Sequence, residues 1–284
     1  ATINEPPRLE LLSGYRNDLI HWHLTQGDIF LSSERARNIQ FWQNALLFDC
    51  IHRDIACSAK AGYGAFGRGE LKERLAFAGA TPDFTFFTHG WAVDGATFLG
   101  YAVNLTPDRT YRVALIPLAG FSGHYQVMQR PGAQTVHINS SEMTSSFPKP
   151  YQQTWYGPYI GGEFRIDPSS CLFFEIGYAY HWLHVRVSSQ TKQRLDTITS
   201  MDKLTLSRWG NFGHSGWGQM QIGLTRSWRI GLALDIEYYF STDQQKKAKG
   251  SVDKRIEAPL KAVLQTAIDS KEISIKLSDE NYRH

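Results

Sequence analysis

Arg229-Ile230-Gly231-Leu232-Ala233-Leu234-Asp235-Ile236-Glu237-Tyr238-Tyr239-Phe240-Ser241-Thr242 is the stretch whose reading decides the fold. Its even positions, Ile230, Leu232, Leu234, Ile236, Tyr238 and Phe240, are large and apolar. Its odd positions, Gly231, Ala233, Asp235, Glu237, Tyr239 and Ser241, are small, charged or polar-tipped. A period of two places these sets on opposite faces of one β-strand. Strands of soluble proteins average about five to six residues. This pattern runs about twice as far, close to the roughly 9–11 residues a tilted strand needs to cross hydrocarbon.

The same division recurs upstream. Leu172, Phe174, Ile176, Tyr178, Tyr180 and Trp182 oppose Glu175, Gly177, Ala179 and His181. Val93, Leu99, Tyr101, Val103 and Leu105 oppose Asp94, Ala96 and Asn104. No helical periodicity appears before residue 250, so no helical layer is available to cover the apolar faces. Lipid can cover them.

Composition fits that reading. Mean hydropathy is −0.35 and no run approaches the roughly 20 apolar residues of a membrane helix. A membrane β-barrel hides its hydrophobicity in the same way, because only alternate residues touch lipid. Aromatic residues are 13% of the chain, with 8 Trp. A net charge of +3 leaves no footprint for nucleic acid. Three cysteines are too few for a disulfide scaffold, and no phosphate loop, nucleophile elbow or zinc-type spacing appears. No cofactor and no metal are expected.

Expected strands cover 8–24, 39–51, 55–67, 91–105, 111–128, 153–166, 171–187, 217–225 and 229–242. Short turns alternate with long polar loops between them. The short turns are His52-Arg53-Asp54, Thr106-Pro107-Asp108-Arg109, Asp167-Pro168-Ser169-Ser170 and Ser227-Trp228. That alternation predicts an all-β, antiparallel transmembrane barrel of about ten strands, with short periplasmic turns and long extracellular loops. The first strand changes phase near Arg16-Asn17-Asp18, from Leu9, Leu11 and Tyr15 to Ile20, Trp22 and Leu24, so a bulge or a turn is expected there. Trp22, Trp42, Trp91, Trp155, Trp182 and Trp217 lie near strand ends that border long loops and are read as an interfacial aromatic girdle. The whole chain, 1–284, reads as one barrel domain. Residues 243–284 form a charged last loop, with a helical spacing of Ile256, Leu260, Val263, Leu264, Ala267 and Ile268 and a weak or truncated final strand near 272–277.

Three short segments carry a family likeness: Gly14-Tyr15-Arg16-Asn17-Asp18 with Trp22, Ile116-Pro117-Leu118-Ala119-Gly120-Phe121, and Trp155-Tyr156-Gly157-Pro158-Tyr159-Ile160-Gly161. On these the chain resembles an omptin-like outer-membrane β-barrel family of the Protochlamydia outer membrane protein type. The resemblance implies a ten-stranded antiparallel barrel with surface loops. Omptin proteases are understood to pair aspartates with an Asp–His couple at the extracellular rim, activating water between them. Here Asp83 has no neighbouring acid, Asp94 lies inside a strand, His214 lacks an adjacent acid, and His181 and His184 fall on opposite faces. No catalytic residue carries over. The end, Tyr282-Arg283-His284, also lacks the aromatic-ended apolar strand the family uses as its assembly signal.

Expected lumen-lining residues are Arg16, Lys60, Arg68, Asp94, Arg112, Glu163, Arg165, Glu175, His181, Asp235 and Glu237. They line either a polar path with ion or solute selectivity or a plug of internal ion pairs. Cys50 and Cys57 flank a tight turn. They are candidates for a disulfide, with packing as small hydrophobes the alternative. His21 and His23 are spaced for a metal but have no further ligand nearby. The functional expectation is an integral outer-membrane barrel, structural and surface-exposed or a narrow porin-like channel. An omptin-type aspartate/histidine endopeptidase and a soluble β-sandwich are the alternatives. Expected partners are outer-membrane lipid, including lipopolysaccharide, and the barrel-assembly machinery.

Overall fold

The computed structural model describes residues 2–26, 29–75, 82–107, 111–138, 141–169, 172–195, 198–223 and 229–241. They form β1 (Glu5–Gln26), β2 (Ile29–His52), β3 (Ile55–Leu75), β4 (Asp83–Tyr101), β5 (Val103–Asn104), β6 (Arg112–Gln129), β7 (Ala133–Ile138), β8 (Ser141–Ser169), β9 (Leu172–Leu195), β10 (Ile198–Gly223) and β11 (Arg229–Ser241). Among the described residues there is no helix. All strands join one antiparallel sheet in the order β1-β2-β3-β4-β6-β8-β9-β10-β11. β5 carries the β4 ladder onto β6, and β7 makes a short hairpin with β8. The sheet curls until distant strands meet through their inner side chains. Gln219 on β10 donates to Glu10 on β1 at 2.9 Å, and Lys60 on β3 reaches Asp235 on β11 at 2.5 Å.

The tight turn between β2 and β3 is a two-residue hairpin loop. Arg53 (φ 50°) and Asp54 (φ 69°) both sit in the left-handed region, as the turn that matches strand twist requires. Asp tolerates that conformation better than most residues. Asp54 also anchors the N-terminal end. Its carboxylate accepts from the Ile3 amide at 2.5 Å, and its own amide donates to the Ile3 carbonyl at 3.1 Å.

The outer face changes character part-way along the strands. From the tight-turn end upward it is apolar: Leu9, Leu11, Leu46, Ile55, Leu99, Ile160, Ile176, Leu232 and Leu234 are all exposed, Ile176 by 63% and Leu232 by 74%. This band ends at a belt of rings. Tyr63, Trp91 and Tyr125 follow one another at 6.4 and 5.3 Å, and Tyr156, His184 and Trp209 touch at 5.0–5.8 Å. Trp42 and Tyr15 pair directly across β1 and β2 on the same outer face. From Ile55 to Tyr63, or from Leu172 to Trp182, the band is one crossing of hydrocarbon long.

Above the belt the pattern inverts. The outer positions become Lys72, Arg74, Lys149, Arg186 and Lys192, all exposed. The inner positions become Ala36, Ile39, Phe41, Phe66, Leu71, Phe84, Phe86, Met128, Met143, Phe147 and Tyr151, packed as one apolar core. The barrel therefore has two storeys, apolar outside below the belt and apolar inside above it. Among the described residues, much of what was expected as long loops is strand instead: the ladders continue to Thr25↔Phe30, Arg74↔Asp83 and Ile198↔Leu195. Polar outer residues made these extensions resemble loops, but their alternation continues with the faces exchanged.

Asp83 lies at the top of this upper storey. Its two carboxylate oxygens accept from Arg74 at 2.7 and 2.9 Å, and those hydrogen bonds hold its pKa below the usual carboxylate range. A depressed folded-state value means the pair supports the β3–β4 tip while Asp83 is ionised and fails as pH falls through that value. Both groups are exposed, so the contribution is small. Asp83→Asn should speed amide exchange at the tip at neutral pH. The same substitution should change nothing once the wild-type carboxylate is protonated, as pH-dependent hydrogen exchange would report.

The described residues correct four expectations. Ile20 stays in the inward phase with Arg16 and Asp18, because the irregularity near Asp18 is an extra residue in β2 at Asn38 (φ 56°), not a phase change in β1. Arg68 lies on the outer face over the Phe87 ring, because a bulge between Phe66 and Gly69 shifts the alternation by one. Trp155 and Trp217 fall on odd positions of β8 and β10 and point inward, not into a girdle. The side chains of His21, Trp22 and His23, and all of Cys171, Trp228 and 242–284, lie outside the described residues.

Candidate functional site: a packed polar interior

The interior below the belt is built where the odd positions of β2, β8, β9, β10 and β11 face the even positions of β3, β4 and β6. At the tight-turn end, Ile3 is buried among Ile51, Ala56, Ala102, Ala114 and Ile116. Directly above that apolar foot lies Arg165. Its guanidinium makes a two-pronged contact to Asp49 at 2.9 Å on both oxygens, bonds Glu163, and lies 3.2 Å from Glu5 and 3.7 Å from Glu175. Arg8 joins the same cluster, 2.8 Å from Glu10 and 3.0 Å from Asp49. Arg112 bridges Glu5 at 2.5 Å and Asp167. Paired planar forks of this kind are the arrangement in which buried charge is best compensated.

A second layer follows. Arg16 holds Asp94 at 2.9 Å and Asp18 at 2.6 Å, and Gln43 donates to Asp94 at 2.8 Å. His124 Nδ1 meets Asp94 Oδ1 at 2.5 Å, and its Nε2 is 3.3 Å from Gln126. Trp155 stacks on the His124 ring at 5.1 Å and touches Tyr239 at 4.2 Å. His181 stands between Ser122 at 3.1 Å and Ser215 at 2.8 Å, with Tyr159 over its ring. Trp217 lies flat on Gly177, where any Cβ would come within 2.1 Å of the indole, and donates to Glu175 at 3.1 Å. The third layer is the apolar core of the upper storey. There Arg130 covers the Phe147 ring at 3.6 Å and donates to Ser189 at 2.7 Å.

Ten of the eleven residues expected to line the lumen have inward strand positions; Arg68 does not. Glu163, Arg165, Glu175 and Arg112 gather in the first layer and Arg16, Asp94 and His181 in the second. Lys60, Asp235 and Glu237 join β3 to the inner face of β11. Sequence reasoning missed Glu5, Arg8, Glu10, Asp18, Asp49 and His124, which complete both layers. The parity signal that found the others covers them too: Asp49 sits on the β2 face that carries Phe41 and Ala45, and His124 shares the β6 face with Arg112. Long-range pairing such as Asp94–His124 has no sequence signature, because the partners are 30 residues apart on different strands. Among the described residues no group of His, Cys, Asp and Glu is arranged to hold a metal.

No curated protein matches this chain. Residues 10–280 match the family model described as Pom, Protochlamydia outer membrane protein. That match spans nearly the whole sequence, covering both storeys of the sheet and the interior layers apart from Ile3, Glu5 and Arg8. It agrees with the lipid-facing band and antiparallel topology, and the chain belongs to the Protochlamydia outer membrane protein family.

Proposed function

We propose that this outer-membrane β-barrel is a closed, non-conducting structural protein that raises a rigid β-tower above the outer leaflet. The observation that carries the reading is the filled interior: an apolar foot, two ion-paired layers and an aromatic core occupy successive levels. Barrels of about eight strands are filled by their own side chains, and ten leave little more room. In this reading the tight-turn end faces the periplasm and the upper storey faces the exterior, where its polar outer surface meets water. Lys149, Arg186 and Lys192 stand exposed just above the ring belt, and no described carboxylate pairs with them. On the opposite flank Arg37 and Lys72 share Glu70, and Arg74 pairs with Asp83. The unpaired flank suits the phosphates of outer-leaflet glycolipid.

The protease alternative has one supporting feature, the Asp94–His124 couple. Its imidazole is 1% exposed, capped by Trp155, with Asp94 engaged by Arg16 and Gln43, so no peptide bond can approach it. Protein refolded into a planar bilayer should give no unitary conductance. Reproducible single-channel steps from heat-modifiable, fully refolded protein would overturn the closed reading. Cleavage of peptides that persisted in Asp94→Asn would show chemistry elsewhere, and cleavage lost in that variant would favour the protease.

A further inference from the structure

Cys50 on β2 and Cys57 on β3 are direct cross-strand partners, on the third rung above the Arg53–Asp54 turn. Both lie on the outer face of the sheet near the tight-turn end, and both are half-buried. Their sulfurs stand 2.7 Å apart as thiols, well inside the contact distance of two unbonded sulfur atoms. Directly opposed residues of an antiparallel pair have Cα separations of about 4.5–5.5 Å. That falls within the roughly 4.4–6.8 Å a disulfide spans. No backbone movement is therefore needed to join them.

We propose that Cys50 and Cys57 form an intramolecular disulfide in the mature barrel. Either face of an outer membrane lies outside the reducing cytoplasm, so the link rests on the family's location and not on which end faces out. In its formation the two thiols give up two protons and two electrons and an S–S bond closes. The electrons pass to a disulfide-bearing thiol oxidase of the envelope, whose own disulfide opens to two thiols. The link fixes the foot of the β2–β3 hairpin. That turn carries Asp54, which holds Ile3 in the apolar foot through one hydrogen bond to its carboxylate and one from its backbone amide. The disulfide thus secures the tight-turn end of the barrel from outside, where the ion-paired layers secure it from within.

The sequence supplies a direct assay, because Arg53 lies between the two cysteines. Trypsin separates peptide 38–53, which carries Cys50, from peptide 54–60, which carries Cys57. Membranes are treated with N-ethylmaleimide before lysis, and the denatured protein is digested and analysed by mass spectrometry. The expected result is the linked pair 38–53/54–60, with no maleimide on either peptide until a reductant is added. Cys50→Ser should leave Cys57 fully labelled. The double variant Cys50→Ser/Cys57→Ser should keep its heat-modifiable mobility, separating loss of the link from loss of folding. Maleimide on both peptides without reductant overturns the proposal, as does either cysteine joined to Cys171 or to a second chain. Bilayer conductance is independent of this readout, so the closed-barrel reading and the disulfide fail separately.

Discussion

Arg165→Ala is expected to cost the folded barrel about 3–5 kcal/mol, the range for removing one partner from a buried ion-pair network. The substitution leaves Asp49, Glu163 and Glu175, all largely buried, facing one another with only Arg8 beside Asp49 and Glu175, and leaves Glu5 without one of its two arginines. The destabilisation comes from the stranded carboxylates, not from loss of attraction alone. Arg165→Ala/Glu163→Gln should therefore recover part of it, although it removes a further charge. Arg165→Lys should fall between wild type and alanine, since a point charge cannot reproduce the two-pronged contact to Asp49. Urea unfolding of refolded protein, followed by the gel-mobility difference between folded and heated forms, orders the four proteins. Equal midpoints for wild type and Arg165→Ala would mean that the layer does not hold the barrel.

A charge placed on the lipid face should be almost as damaging. Ile176 is exposed at mid-band on β9, between Leu172 at the tight-turn end and Trp182 beside the ring belt. Ile176→Arg should destabilise the barrel by about 2–4 kcal/mol in a bilayer, the cost of arginine near the membrane midplane. Ser188→Arg lies on the same strand and the same outer face but above the belt, and should shift stability by no more than about 0.5 kcal/mol. Refolding both variants into lipid vesicles and comparing urea midpoints tests the contrast. If Ser188→Arg proved as costly as Ile176→Arg, the belt would not mark the edge of hydrocarbon.

The lower storey was legible in the sequence because its alternation is sustained and one-signed. In residues 229–241 and 172–182 large apolar side chains take one parity, and parity alone gave the face of Leu232, Ile176, Asp235 and Glu175. The upper storey was harder to read. There Phe84, Phe86, Met143 and Phe147 alternate with Thr85, Thr144 and Ser146, but the core lies inside, so the exposed polar set reads as loop composition. A single-residue irregularity beside Gly67 moved Arg68 to the outer face, whereas Ile20 misled because the interior turns apolar above the belt while β1 keeps its phase. The tryptophans misled for another reason. Trp155 and Trp217 were sorted by height along the strand, yet face is set by parity, which sends both inward to His124 and Gly177. The ion-paired layers were visible as a set of inward charges, but who bonds whom depends on the curl that brings β1 to β10 and β3 to β11.

The inversion at the ring belt is tested most directly by a spin-label scan along β9 in lipid vesicles, with Cys50, Cys57 and Cys171 replaced by serine. Labels at Phe174, Ile176, Tyr178 and Tyr180 should collide with dissolved oxygen and ignore a water-soluble nickel chelate. Labels at Arg186, Ser188, Gln190 and Lys192, on the same face, should show the reverse, and labels at Ala179, Leu183 and Ser189 should meet neither. Nickel reaching Ile176 and Tyr178 as readily as Ser188 would place the lower band in water and contradict the two-storey barrel.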